Sequence, residues 1–154
     1  MSISPPVAVQ NVWKVFGPQP HKALDALDAG ASKEEVLNAT GHVLAVRDVS
    51  FTVQPGESFV VMGLSGSGKS TLLRLLPRLI DATRGTIQID GADVGALAER
   101  GLRELRRHRM SMVFQHFGLL PHRRILENVA FGLEIQGTPK KERLARAKEM
   151  LAQV

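Results

Sequence analysis

The 154-residue chain suits one domain with a sizeable core, and 44% hydrophobic with 23% charged residues are ordinary globular proportions. It contains no cysteine, which excludes disulfides and thiolate metal sites and fits a reducing compartment. The formal charge of +5 is modest, no apolar run is long enough to cross a bilayer, and no secretory signal is visible in the opening Met-Ser-Ile-Ser-Pro-Pro.

Residues 7–16 alternate apolar and polar (Val7, Val9, then Val12, Trp13, Val15) and predict a first strand ending at Phe16-Gly17-Pro18. Residues 17–42 read as a helical surface insertion. A short helix over 21–29 is stopped by Gly30, and Ser32-Lys33-Glu34-Glu35 forms a capping box that opens a second, closed by Gly41. These helices offer only Leu24, Leu27, Val36 and Leu37 for burial. Strand character resumes at 43–46 and 50–53, and Gln54-Pro55-Gly56-Glu57 is a turn. The run Phe59-Val60-Val61-Met62 predicts a buried parallel strand.

The next stretch carries chemistry. Gly63, Leu64, Ser65, Gly66, Ser67, Gly68, Lys69, Ser70 and Thr71 fit the pattern G-x-x-x-x-G-K-[ST] at every fixed position. Glycines let a backbone curl round a phosphate with its N–H groups inward, where a Cβ would obstruct. A helix opening at Lys69 adds unpaired N–H donors and the positive end of its dipole. Lys69 can reach the β and γ phosphates of a nucleotide, the Ser70 hydroxyl can ligate Mg²⁺, and Thr71 offers a hydroxyl toward the α phosphate. Between an expected strand and an expected helix, the motif reads as a nucleotide site.

The helix after the loop carries Leu72, Leu73, Leu75, Leu76 and Leu79, and Pro77 should end or kink it near Leu76. Residues 86–89 predict a strand that closes at Asp90-Gly91. Residues 97–108 predict an amphipathic helix with Ala98, Leu102 and Leu105 inward and a Glu99–Arg103 pair on its surface. Residues 110–114 read as a strand, 115–124 as a loop, and 125–135 as a helix with Ile125, Val129 and Leu133 on one face. Thr138-Pro139 starts a last helix through Leu144, Ala147 and Leu151. Positive charge gathers at 100–109, 123–124 and 140–148. With 5% aromatic residues and no tyrosine, no stacking platform interleaves with it, so these are solvated faces near a membrane or partner and no nucleic acid is expected.

With these residues in view, the chain resembles the ATP-binding subunits of ABC transporters from Val7 to Val154. Residues 63–71 match Walker A, Thr83-Arg84-Gly85 through Asp90-Gly91 the next strand and turn, and Met112-Val113-Phe114-Gln115 the Q-loop. Leu120-Pro121-His122 and Glu127-Asn128-Val129 also look like that family. The insertion at 32–41, with Gly63-Leu64-Ser65-Gly66-Ser67-Gly68 and the loop Gln115-His116-Phe117-Gly118-Leu119-Leu120-Pro121-His122, is similar to the glycine betaine/L-proline importers of quaternary-ammonium osmoprotectants.

The resemblance implies an α/β P-loop NTPase fold of ABC type, incomplete, with N-terminal β strands, a RecA-like core and the start of a helical subdomain. Residues 1–154 would be the N-terminal part of one such domain, with the Q-loop region at 110–124 and the helical subdomain beginning at 125–154. It implies ATP and Mg²⁺ as ligands, with Lys69 on the phosphates and Ser70 and Gln115 on the metal. Gln115 would alternatively position the attacking water. Phe16 stands where the family stacks an aromatic on adenine, or else is a core residue. His116 and His122 fit a loop at a permease better than a metal pair.

The implied partners are a transmembrane permease through the Q-loop region, a second ATP-binding subunit and, indirectly, a solute-binding protein, at the cytoplasmic side of the cell membrane. A signature Ser-Gly-Gly, a Walker B aspartate, a catalytic glutamate and a switch histidine are expected of the hydrolytic family but not found before Val154. The chain is therefore expected to be an N-terminal fragment that cannot turn over ATP alone. The competing expectations are a truncated module that only binds nucleotide, the subunit of another ABC importer, and a soluble ABC ATPase acting on nucleic acid.

Overall fold

The computed structural model describes residues 6–115 and 118–154, which form two compact units, Met1–Ala98 and Glu99–Val154. In the first, strands β1 (Val7–Phe16), β2 (Val43–Val53), β3 (Arg84–Ile89) and β4 (Ala92–Asp93) form an antiparallel sheet in the order β2-β1-β3-β4. β1 pairs on both sides, with Val9 opposite Phe51 on one edge and Ile87 on the other. Its apolar residues Ala8, Val9, Val12, Trp13 and Val15 are accordingly all buried.

The two strands expected at 43–46 and 50–53 are one strand. Irregular pairing between Val9 and Val15 absorbs the intervening residues. Side chains occupy the polar groups this irregularity frees: the Asn11 N–H donates to Ser50 Oγ at 2.8 Å and Asn11 Nδ2 to Asp48 Oδ1 at 3.0 Å.

The insertion folds into helices α1 (Pro20–Asp28) and α2 (Lys33–Thr40). The capping box is present: the Glu35 N–H donates to Ser32 Oγ at 3.1 Å and the Ser32 N–H to Glu35 Oε2 at 2.7 Å. Those bonds hold the Glu35 carboxyl below its ordinary pKa. Three of the four residues offered for burial are buried. Leu24, Leu27 and Val36, with Ala23, share one buried cluster with Trp13, Val15 and Leu44, and only Leu37 stays exposed. The reason is non-local, since β1 and β2 leave Trp13 and Leu44 uncovered unless the helices close over them.

Three further contacts fasten this segment. Arg84 on β3 makes a bidentate pair with Asp28, Nη1 to Oδ1 at 3.0 Å and Nη2 to Oδ2 at 2.6 Å. The same guanidinium lies 5.7 Å from the centroid of the Trp13 ring. At the return into β2, the buried His42 accepts the Gln19 N–H on Nε2 at 3.1 Å. Its ring packs so closely on Gly17 that a Cβ there would run into it, and Gly17 at φ +143° adopts a backbone that other residues rarely do.

Phe59-Val60-Val61-Met62 is not a strand in the structure. Val60 is 70% and Met62 84% exposed. A parallel strand exists only where neighbours take up its N–H and C=O groups, and among the described residues the ladders join only β1 to β2, β1 to β3 and β3 to β4. Phe59 is instead held by stacking on Phe51 of β2, with centroids 4.5 Å apart.

The second unit contains α4 (Glu99–Arg109), α5 (Ile125–Val129), α6 (Phe131–Ile135) and α7 (Lys140–Leu151). In α4 Leu102 is buried, whereas Ala98 lies ahead of the helix and is exposed. Arg103 donates to the main-chain oxygen of Glu99 at 3.3 Å, and Glu104 takes Arg107 at 3.1 Å. The strand expected at 110–114 is also unpaired, with Val113 98% exposed, for the reason that applies to Val60. The single helix expected over 125–135 divides at Ala130, whose ψ of −10° tightens the turn just before Gly132. Its expected apolar face is largely open, with Ile125 and Val129 both exposed.

Asn128 organises the loop ahead of α5. Its Oδ1 accepts the Leu120 N–H at 2.7 Å, and its Nδ2 donates to the carbonyls of Leu120, Arg123 and Arg124 at 3.1–3.2 Å. Glu134 bridges Arg123 and Arg143 at 2.9 and 3.2 Å. The Arg123 hydrogen bond is the main cause holding its carboxyl below the ordinary range.

Two outcomes follow from the first unit. Leu24→Ala empties the buried cluster and should cost about 2–5 kcal/mol in denaturant unfolding. Arg84 depresses the Asp28 pKa below its ordinary 3.8, chiefly by hydrogen bonding. The pair therefore stabilises fully above that value, and the contribution is lost as pH falls through the lowered pKa. Asp28→Asn should flatten that part of the acid limb in thermal melts taken across low pH.

Candidate nucleotide site

The glycine-rich loop leads directly into α3 (Lys69–Leu75), which buries Leu72 and Leu75. Pro77 follows the C-cap Leu76, as its missing N–H and ring require. Gly68 is the N-cap in the left-handed region at φ +92°, and a Cβ there would collide with the main-chain oxygen of Ala45 on β2. Only glycine can stand at that point. The loop thereby lies directly against the first residues of the sheet's edge strand.

Lys69 closes the loop. Its ammonium has three donors, and two of them go to the carbonyls of Gly63 and Leu64, each at 2.7 Å. The third points to Ser67 Oγ at a long 3.5 Å. Ser67 also donates its N–H to the Leu64 carbonyl at 3.2 Å. The ammonium is thus fixed in direction and keeps one weakly used donor for an incoming anion.

Beside the loop is a cavity of about 300 Å³, bounded by Phe16, Lys33, Val43, Lys69, Ser70 and Thr71. A wider recess of about 690 Å³ shares Lys33, Gly68 and Lys69 but is walled by Phe51, Phe59 and Met62. Phe16 is 41% exposed at the end of β1, so it is a wall of this cavity and not a core residue. Lys14 lies over its ring, 4.9 Å from the centroid. Ser70 is exposed, and its hydroxyl makes no hydrogen bond among the described residues.

The structure therefore brings Phe16, Gly66, Gly68, Lys69, Ser70 and Thr71 round one cavity, with Gly63, Leu64, Ser65 and Ser67 in the loop that forms it. Gln115 belongs to the second unit, exposed at a bend after the extended run 110–114. His116 lies outside the described residues. His122 is exposed and borders a polar cavity of about 300 Å³ with Arg123, Glu134, Lys140 and Arg143. Sequence reasoning missed Lys33. Its place after a helix cap was legible, but nothing in the local pattern shows that α2 folds back beside the phosphate loop.

The sequence model of the ABC transporter family matches residues 46–154. The chain is 49% identical over 146 residues to the glycine betaine/proline betaine transport system ATP-binding protein ProV of Salmonella typhimurium, covering 95% of this chain and 36% of that protein. It is 51% identical over 148 residues to the trimethylamine N-oxide transport system ATP-binding protein TmoW of Ruegeria pomeroyi, with 96% and 43% covered. It is 52% identical over 145 residues to the glycine betaine transport ATP-binding protein OpuAA of Bacillus subtilis, with 94% and 35% covered. The chain thus spans 35–43% of the length of these curated relatives.

Among solved structures, the dimeric post-hydrolysis state of the ATP-binding cassette MJ0796 bound to ADP and Pi is similar, with a TM-score of 0.74 and 30% identity. That likeness covers 95% of this chain and 56% of the other. The fold is that of an ABC-type P-loop ATPase domain, as the residues imply. With the family's model spanning most of the sequence and the phosphate loop folded around Lys69, the chain belongs to the ABC transporter family.

Proposed function

We propose that the chain is the nucleotide-binding, N-terminal part of the ATP-binding subunit of an ABC importer for glycine betaine and related quaternary-ammonium osmoprotectants. The observation that carries the nucleotide reading is the Lys69 ammonium, oriented by two loop carbonyls beside a cavity with an aromatic wall. The substrate class draws support from three transport-system relatives at 49–52% identity, two of them named for glycine betaine.

In this reading Lys69 and the loop N–H groups hold the β and γ phosphates, and Phe16 stacks on the adenine. The unengaged Ser70 hydroxyl suits Mg²⁺, with Gln115 as the second protein ligand or as the residue that orients the attacking water. Bound Mg²⁺ supplies charge neutralisation between phosphate oxygens. The residues of this chain contribute orientation and electrostatic stabilisation of the phosphoryl group through donors already in place.

The partners are a transmembrane permease docking at the Q-loop region, a second ATP-binding subunit and, through the permease, a solute-binding protein. The dimeric cassette among the structural neighbours supports the subunit pairing. Among the described residues no helix is long and apolar enough to cross a membrane, and the chain is assigned to the cytoplasmic face through the permease. Residues 1–154 bind nucleotide without turning it over, because the family's signature and switch elements do not occur among them.

Calorimetric titration with ATP tests this. Lys69→Ala should weaken binding at least about tenfold, the worth of a charge-assisted contact. Steady phosphate release by residues 1–154 that disappears in Lys69→Ala would overturn the claim of binding without turnover.

A further inference from the structure

We propose that Lys33, the first residue of α2, is a second cation for the polyphosphate of the bound nucleotide. The insertion at 17–42 would then be one wall of the nucleotide site. This rests on the nucleotide reading of the Lys69 loop.

Lys33 lines both cavities that flank the loop, the one bounded by Phe16, Ser70 and Thr71 and the wider one bounded by Phe59 and Met62. It therefore stands where the two meet, and Lys69 lines both of them too. Lys33 forms no ion pair or hydrogen bond among the described residues. Among the described residues neither cavity has a carboxylate on its wall, and the charged residues there are Lys33, Lys69 and, in the wider one, Arg47. The neighbouring Glu35 accepts the Ser32 N–H on Oε2 and lines neither cavity.

The donor count at Lys69 makes a second cation useful. Two of its three donors are committed to Gly63 and Leu64, so a polyphosphate carrying several negative charges meets only one free ammonium donor on that side. Lys33 adds an uncommitted ammonium. It is also well held at its base. The capping box fixes the start of α2, Val36 is buried one turn on, the Gln19–His42 bond ties the ends of the segment together, and the Arg84–Asp28 pair fastens its middle. A lysine with an anchored backbone and a free tip is suited to an anion that arrives from solvent.

The test is calorimetric titration of the parent chain, Lys33→Gln, Lys33→Arg and Lys69→Ala with ATP, ADP and adenosine. Lys33→Gln should weaken ATP and ADP binding about 3- to 10-fold at low salt, as a largely exposed charge-assisted contact would. The gap should narrow as salt screens it. Adenosine binding should be unchanged, and Lys33→Arg should retain most of the affinity. Parental ATP affinity in Lys33→Gln, or failure of Lys33→Arg to restore it, overturns the inference while loss of binding in Lys69→Ala leaves the nucleotide site standing. Absence of ATP binding by the parent chain overturns both.

Discussion

The close approach of Gly68 to the Ala45 carbonyl is the contact on which the rest of the first unit turns. It needs a residue without a side chain and with a left-handed backbone, and it sets the phosphate loop directly on β2. Because β2 is zipped along β1 from Val7 to Phe16, the same contact places Phe16 beside the loop. Because the insertion returns into β2 through His42, it also brings α2 alongside. A sheet, an inserted helical pair and the glycine-rich loop thus share one anchor point. The buried Leu72 and Leu75 complete it from the other side of the loop.

What could be read from sequence was what depends on residues close in the chain. The Ser32–Glu35 box and the stop at Pro77 are settled within a turn or two and appear where their residues predict, while the last helix starts one residue later than Thr138-Pro139 implies, with Pro139 itself as the N-cap. The phosphate loop is legible for the same reason, since its glycines and Lys69 act on one another over a few residues. Strands are different. Phe59-Val60-Val61-Met62 and residues 110–114 have strand composition, yet composition cannot supply the neighbouring backbone that makes a ladder.

The insertion shows its buried residues locally but not what they pack on. Each of its helices looks nearly polar alone, and their apolar residues matter only because Trp13 and Leu44 lie beneath them. Glu127-Asn128-Val129 was recognised by likeness alone; the structure supplies the cause. One asparagine side chain satisfies four main-chain groups of the preceding loop, using both its acceptor and its donors. Aspartate has no donor for three of them, and glutamine places its amide a carbon further out.

The two carbonyls that hold Lys69 have a thermodynamic meaning beyond geometry. A free lysine side chain surrenders about 1.5–2 kcal/mol of rotamer entropy when it is pinned to a ligand. Here most of that freedom is already gone, taken up when the loop folds and its ammonium engages Gly63 and Leu64. The loss is charged to folding, where the buried cluster and sheet offset it, and little of it falls on association. The loop is in this sense preorganised: its rigidity is a property of the fold, and on the proposed nucleotide reading its affinity would fall on loosening residues that no phosphate touches.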